Sequence, residues 1–229
     1  MIIGNFIKEI ELKYKNHYFS DICFDSSKCK KDNIFFAIKG TKIDGNKFIN
    51  YAIQKGAKTI VSNQKIEGIK NNILFIKSSN VRKSLSEFAY KIYKEKPKNI
   101  IAVTGTNGKS SVADFYFQIL KFNKKKVASI GTLGVKTQNY IKKLSNTTMN
   151  PNALGMILNK LKKEKIDDVI LEASSHGLKQ NRLDGLKFNT GIFTNLSHDH
   201  LDYHKTFSDY LKSKLYLFKK LLKKNANII

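Results

Sequence analysis

Apolar and polar positions along the chain alternate between two periods. Ile34–Ile38 is a short continuous apolar run, which predicts a strand, and Lys47–Lys55 has helical spacing that stops at Gly56. Thr59–Ser62 and Ile73–Ile76 read as strands, and Val81–Lys94 repeats apolar residues at Val81, Leu85, Phe88, Ala89 and Ile92, the spacing of a helix. The charged stretch Lys94–Lys98 surrounds Pro97, one of two prolines, and marks the best boundary in the chain, dividing it into domains 1–97 and 98–229. A second series follows. Strands are predicted at Ile100–Val103, Val127–Ile130, Val169–Leu171 and Gly191–Thr194. Helices are predicted at Lys109–Phe122, at Asn152–Lys163 behind Pro151, and at Thr206–Leu222. This alternation predicts an α/β protein with mostly parallel sheets. Ala226–Ile229 is again strand-like and directly follows a helix, so the polypeptide is expected to continue beyond Ile229.

Composition narrows the class. No run approaches the roughly 18–20 apolar residues of a membrane span, and the N-terminal stretch, which carries Glu9 and Glu11, lacks the plan of a signal peptide. Cys23 and Cys29 are the only cysteines and make neither a disulfide framework nor a zinc site, which fits a reduced, cytoplasmic setting. The net charge of +24 raises the question of nucleic acid. Only Arg82 and Arg182 among the 42 basic residues are arginines, the better bidentate readers of phosphate and guanine, and the lysines are scattered. Nucleic acid is therefore not the expected partner, although the charge favours polyanionic substrates.

Chemistry concentrates in the second half. Ile100–Val103 runs into Thr104-Gly105-Thr106-Asn107-Gly108-Lys109-Ser110, an apolar strand, a glycine turn, and Lys-Ser opening a helix. Glycines let backbone N–H groups approach a phosphate, Lys109 can reach β- and γ-phosphate oxygens, and a serine hydroxyl can ligate Mg²⁺. Val103 stands where the common nucleotide loop has its first glycine, so this is a shortened variant. Glu172 ends an apolar strand and is expected to face the same crevice, since ligands of open α/β sheets sit outside the strand C-termini. Three of the five histidines, His198, His200 and His204, lie with Asp199 and Asp202 after another strand, a set able to bind a divalent ion.

Together these segments resemble the Mur ligase family. The resemblance rests on Thr104 to Ser110, then Asn146-Thr147-Thr148, then Glu172-Ala173-Ser174-Ser175-His176-Gly177-Leu178 with Gln180 and Arg182, then Asn195 to His204, ending Asp199-His200-Leu201-Asp202-Tyr203-His204. It implies a small N-terminal α/β uridine-binding domain followed by an incomplete P-loop ATPase-like domain. It also implies a soluble, monomeric enzyme that uses ATP and Mg²⁺ to form an amide bond. The closest branch adds the third residue of the peptidoglycan stem peptide, meso-diaminopimelate being the commoner choice and lysine its rival, to UDP-N-acetylmuramoyl-L-Ala-D-Glu through an acyl phosphate.

Carried over residue by residue, Gly105, Thr106, Asn107, Gly108, Lys109, Ser110 and Ser111 would form the ATP loop. Ser110, Glu172 and His200 would hold Mg²⁺, and Asn146, Thr147, Thr148, Ser174, Gln180 and Arg182 match positions that bind the UDP-muramoyl peptide. Lys109, His200 and Lys214 would be the catalytic set, Lys214 matching a lysine that the family carbamylates with CO₂. Phe24-Asp25-Ser26 resembles the uridine segment, with Thr41, Lys42 and Ile43 at contact positions nearby. Ser27 replaces a usual arginine, Ser110-Ser111 replaces threonines, and Met149-Asn150-Pro151 departs from the usual loop. The family also has the rest of the central domain and a C-terminal domain that selects the amino acid, so this chain by itself is expected to bind without ligating. A folate polyglutamate-type ligase and a nucleotide or UDP-sugar-binding fragment are the competing readings.

Overall fold

The alternation of extended and helical segments holds throughout the computed structural model, which describes residues 1–7, 10–40, 43–144 and 146–229. The chain divides into two units, Met1–Lys91 and Ile92–Ile229. In the first, the elements are β1 (Ile22–Cys23), β2 (Ile34–Phe36), α1 (Ile49–Gln54), β3 (Thr59–Ser62), β4 (Gly68–Lys70), β5 (Ile73–Lys77) and α2 (Val81–Ile92). The sheet runs β1-β2-β3-β5-β4, parallel except for the antiparallel edge strand β4. All three residues of β2 are buried, and alternation sends them to opposite faces. Phe35 joins Cys23, Cys29, Ile49, Ala52 and Ile60. Phe36 meets Phe88 of α2, which stacks on Phe6 with ring centroids 5.0 Å apart. Helix α1 ends where the sequence places its stop. Gly56 has φ +106°, and a Cβ there would lie 2.9 Å from the backbone of Lys31.

In the second unit, β6 (Asn99–Thr104) leads through α3 (Lys109–Phe122) to β7 (Val127–Gly131). The antiparallel strands β8 (Gly134–Lys136) and β9 (Ile141–Lys142) follow, then α4 (Pro151–Lys163), β10 (Asp168–Glu172), α5 (Ser175–Lys179), β11 (Phe188–Phe193), α6 (Leu201–His204), α7 (Phe207–Tyr216) and β12 (Leu222–Ile228). The sheet order is β12-β11-β6-β10-β7-β8-β9, parallel from β12 to β7. Central strands are buried on both faces, which is why Ile100–Val103 and Val169–Leu171 are continuous apolar runs rather than alternating ones. After β10 the chain crosses to the other side of β6, so a crevice opens at the C-terminal ends of β6, β10 and β11. Helix α4 begins as its sequence requires: Asn150 accepts a hydrogen bond from the Ala153 N–H at 2.9 Å and Pro151 takes the first helical position.

One expected element is wrong in extent. Thr206–Leu222 is not a single helix: α7 ends at Tyr216, Leu217–Leu221 form a π turn, and Leu222 already pairs with Phe188 of β11. Leu and Lys favour helix here, and the parallel pairing with β11 overrides that preference. Among the described residues no helix is long and apolar enough to cross a membrane.

Candidate functional site

Polar groups dominate the wall of the crevice. Gly105 to Ser111, Thr132, Thr147, Glu172, Ser174, Ser175, His200, Tyr210 and Lys214 line a cavity of about 270 Å³. The phosphate loop follows β6 and turns on two left-handed glycines, Gly105 at φ +150° and Gly108 at φ +81°. A Cβ on Gly105 would fall 1.8 Å from the Thr194 hydroxyl, so side chains are excluded by the neighbouring strand as well as by the backbone. The segment after β11 fastens the loop. Thr194 Oγ1 donates to the Asn107 carbonyl at 2.6 Å, Asn107 N–H donates to Asn195 Oδ1 at 3.0 Å, and Thr106 N–H donates to the Asn195 carbonyl at 2.9 Å. Lys109 folds over the loop, its Nζ donating to the carbonyls of Gly105 (2.9 Å) and Thr106 (2.7 Å). Burial lowers its pKa, against the opposing pull of Glu172 and Asp199.

Glu172 is 2% exposed. Its Oε1 accepts from the Thr132 N–H at 2.9 Å and its Oε2 from the Thr132 hydroxyl at 3.0 Å. This buried carboxylate fits only because residue 131 is glycine, since a Cβ there would lie 2.1 Å from Oε1. Lys214, on α7, is 1% exposed and donates to the Gly105 carbonyl at 2.6 Å, with its ammonium 4.4 Å from the centre of the Tyr210 ring. Burial pushes its pKa down to about 7; Lys109 acts in the same direction and Asp199 opposes it. Tyr210 shares a hydrogen bond with the Thr106 hydroxyl at 3.0 Å, tying α7 to the phosphate loop.

Beside the cavity, the Thr148 hydroxyl sits 3.0 Å from the Glu172 carbonyl, which accepts from it, and 2.9 Å from the Ser174 hydroxyl. Gly177 lets Thr148 pack there, since a Cβ would approach it to 2.6 Å. Arg182 donates to the Thr148 carbonyl and to Gln180 Oε1, and Gln180 donates in turn to the Tyr203 hydroxyl at 3.0 Å. Thr147 and Ser174 line the cavity itself, whereas Asn146 is exposed and Gln180 and Arg182 lie behind Thr148. In the first unit, Phe24, Ser26 and Ile43 share a cavity of about 660 Å³ with Phe35, Ile38, Phe48 and Tyr51. Asp25 accepts from the Ser27 hydroxyl at 2.7 Å, which holds its carboxyl below the usual range. Thr41 and Lys42 lie outside the described residues.

The expected histidine cluster does not converge. Only His200 reaches the cavity, with the left-handed φ of +52°. His198 stacks on Phe207 at 4.7 Å, and His204 is wholly buried among Ser175 and Ser213. Among the described residues no group of three or more His, Cys, Asp or Glu side chains is arranged to hold a metal. Ser110, Glu172 and His200 do share one cavity, and one carboxylate and a hydroxyl beside a phosphate loop suit Mg²⁺, which takes few protein ligands and completes its shell with water and phosphate. Thr132, Ser175 and Tyr210 were not found by the sequence reading. Thr132 follows the end of β7, its only signal; Ser175 lies inside the Glu172–Leu178 motif without a role assigned to it, and Tyr210 has no signal.

Residues 103–229 match the Mur ligase middle domain, and residues 19–99 match the Mur ligase family catalytic domain. The chain belongs to the Mur ligase family. A Mur ligase of Clostridium tetani, UDP-N-acetylmuramoyl-L-alanyl-D-glutamate--2,6-diaminopimelate ligase, is 43% identical over 216 residues, covering 91% of this chain and 44% of its own length. The ligase of the same name from Rickettsia prowazekii is 41% identical, over 90% of this chain and 43% of its own. A solved structure of a ligase with that name superposes with a TM-score of 0.82 at 29% identity, covering 97% of this chain and 46% of that one. The MurF ligase of Thermotoga maritima in complex with ADP shares the fold, with a TM-score of 0.56 at 20% identity over 91% of this chain and 44% of that one. The chain thus spans under half the length of the Mur ligases it matches.

Proposed function

We propose that this chain carries the UDP-substrate and ATP-phosphate sites of a Mur ligase that adds meso-diaminopimelate to UDP-N-acetylmuramoyl-L-Ala-D-Glu in peptidoglycan synthesis, as a monomer in the cytoplasm. The observation that carries the reading is the meeting of Lys109, Glu172, His200 and Lys214 in one cavity at a phosphate loop. Residues 1–97 take the UDP end of the substrate. Phe24, Phe48 and Tyr51 offer rings to a uracil, and Ser26 and Ile43 border it. Residues 98–229 take the ATP phosphates on Gly105 to Ser111 and the muramoyl peptide along Asn146, Thr147, Thr148, Ser174, Gln180 and Arg182.

The D-Glu carboxylate oxygen attacks the γ-phosphorus and ADP leaves, giving an acyl phosphate. The amine of the incoming amino acid then attacks the acyl carbon, loses a proton and expels phosphate. Positioning and charge neutralisation drive phosphoryl transfer, so no protein nucleophile is required. Lys109, whose Nζ lies over the loop at the Gly105 and Thr106 carbonyls, neutralises charge on the transferred group. Mg²⁺ held by Ser110, Glu172 and His200 would shield the β- and γ-phosphate oxygens. Lys214, with a pKa near 7, has a substantial neutral fraction at neutral pH. Its lone pair can attack CO₂, forming an N–C bond and releasing a proton, which turns a cation into a carbamate beside the phosphates. Calorimetric titration with UDP-N-acetylmuramoyl-L-Ala-D-Glu tests the assignment. Saturable binding to one site, with no heat from a folate polyglutamate substrate, is expected; the reverse preference overturns it.

A further inference from the structure

We propose that His204 is a positioning residue that holds Lys214 in the phosphate cavity through a hydrogen bond from its Nδ1 to the hydroxyl of the preceding residue, Ser213. The inference rests on the reading of Lys214 as the lysine that takes up CO₂.

The hydrogen-bond chain around His204 fixes its tautomer. Its Nδ1 lies 3.2 Å from the Ser213 hydroxyl and its Nε2 lies 3.0 Å from the Ser175 hydroxyl. Ser213 has one proton and donates it to the Asp209 carbonyl at 2.8 Å, so toward His204 it accepts. Nδ1 must therefore donate. In a neutral ring Nε2 then carries a lone pair, and the Ser175 hydroxyl donates to it. The ring is wholly buried between these two hydroxyls.

This bond chain joins three elements at the cavity. Ser213 immediately precedes Lys214 on α7, and Ser175 begins α5 next to Ser174, whose own hydroxyl caps that helix. Both Ser175 and Lys214 line the phosphate cavity, while His204 is absent from its wall. Helix α7 is ten residues long and passes straight into a π turn, and it buries Tyr210, Ser213 and Lys214 on one side. A rotation that broke the Ser213–His204 bond would carry Lys214 away from Gly105. Tyr210, one turn before Lys214, packs its ring 5.1 Å from that of His204 and supports the same setting through Thr106.

The test uses the full chain with ¹³C-labelled lysine. Lys214 is buried against the Gly105 carbonyl, so its ε-methylene signal titrates well below those of the exposed lysines. His204→Asn keeps a donor at the Nδ1 position and gives up volume and the reach to Ser175. His204→Gln keeps the reach and most of the volume but loses the donor to Ser213. Ser213→Ala removes the acceptor with little change of shape. The low titration is expected to persist in His204→Asn and to be lost in His204→Gln and Ser213→Ala. Persistence in His204→Gln with loss in His204→Asn would show that His204 only fills space, and persistence in Ser213→Ala would show that Ser213 transmits nothing; either overturns the proposal. A carbamate signal under ¹³CO₂, read on the same samples, separates the two ideas. Its absence with the variant pattern intact removes the CO₂ reading and upholds the positioning role.

Discussion

At the scale of single residues, the site depends on groups that are absent as much as on groups that are present. Glu172 can bury its carboxylate at the end of β10 because Gly131 on the neighbouring strand leaves room for it and Thr132 supplies two donors. Gly131→Ala would push a methyl group into that carboxylate and break its pairing with Thr132. Overpacking of this kind costs about 1–3 kcal/mol, so the urea midpoint should fall accordingly and metal-dependent nucleotide binding should weaken with it. Gly105 illustrates the same logic on the phosphate loop, where the obstacle is the Thr194 hydroxyl. Sequence patterns name such glycines as turn formers; what they must avoid touching is visible only in three dimensions.

At the scale of elements, local signals were sufficient wherever they were strong. Asn150 and Pro151 start α4, and Asn150→Ala should cost about 1 kcal/mol, read as a lowered urea midpoint, because the Ala153 N–H would lose its acceptor. Strands β3 and helix α3 have the limits that periodicity predicts, because a buried parallel strand or a helix of several turns leaves an unmistakable pattern. The two-residue strands β1 and β9 and the short edges β4 and β8 were not legible, since a period cannot be counted over two or three residues. Thr206–Leu222 was misread because Leu and Lys suit a helix and nothing local announces that β11 will claim Leu222. The candidate site divides in the same way. The phosphate loop and Glu172 announce themselves by strand, turn and charge. His198 and His204 share a run with His200 yet point to different partners, Phe207 for one and Ser175 with Ser213 for the other. By residue pattern Lys214 looks like any other lysine of a basic chain; the family resemblance and its burial single it out.

At the scale of the whole molecule, buried basic groups tie stability to pH. His204 has a pKa of about 4 in the folded chain against an ordinary 6.5, and Lys214 about 7 against 10.5. In each window the unfolded chain binds more protons than the folded one, so stability rises with pH across it. The His204 contribution is complete above pH 6.5 and is lost as pH falls from 6.5 to 4; the Lys214 contribution is complete above 10.5 and is lost as pH falls from there to 7. Urea midpoints should therefore climb between pH 4 and 6.5, and His204→Asn should flatten that climb.

The net charge of +24 and the cavity at the phosphate loop meet in one expectation, binding of a polyphosphate at Lys109. Titration of the chain with a non-hydrolysable ATP analogue and Mg²⁺, beside Lys109→Ala, tests it directly. The account predicts saturable binding to one site that weakens at least about tenfold in the variant, the loss of a charge-assisted contact to phosphate. Equal affinity of the two proteins for the analogue would contradict it.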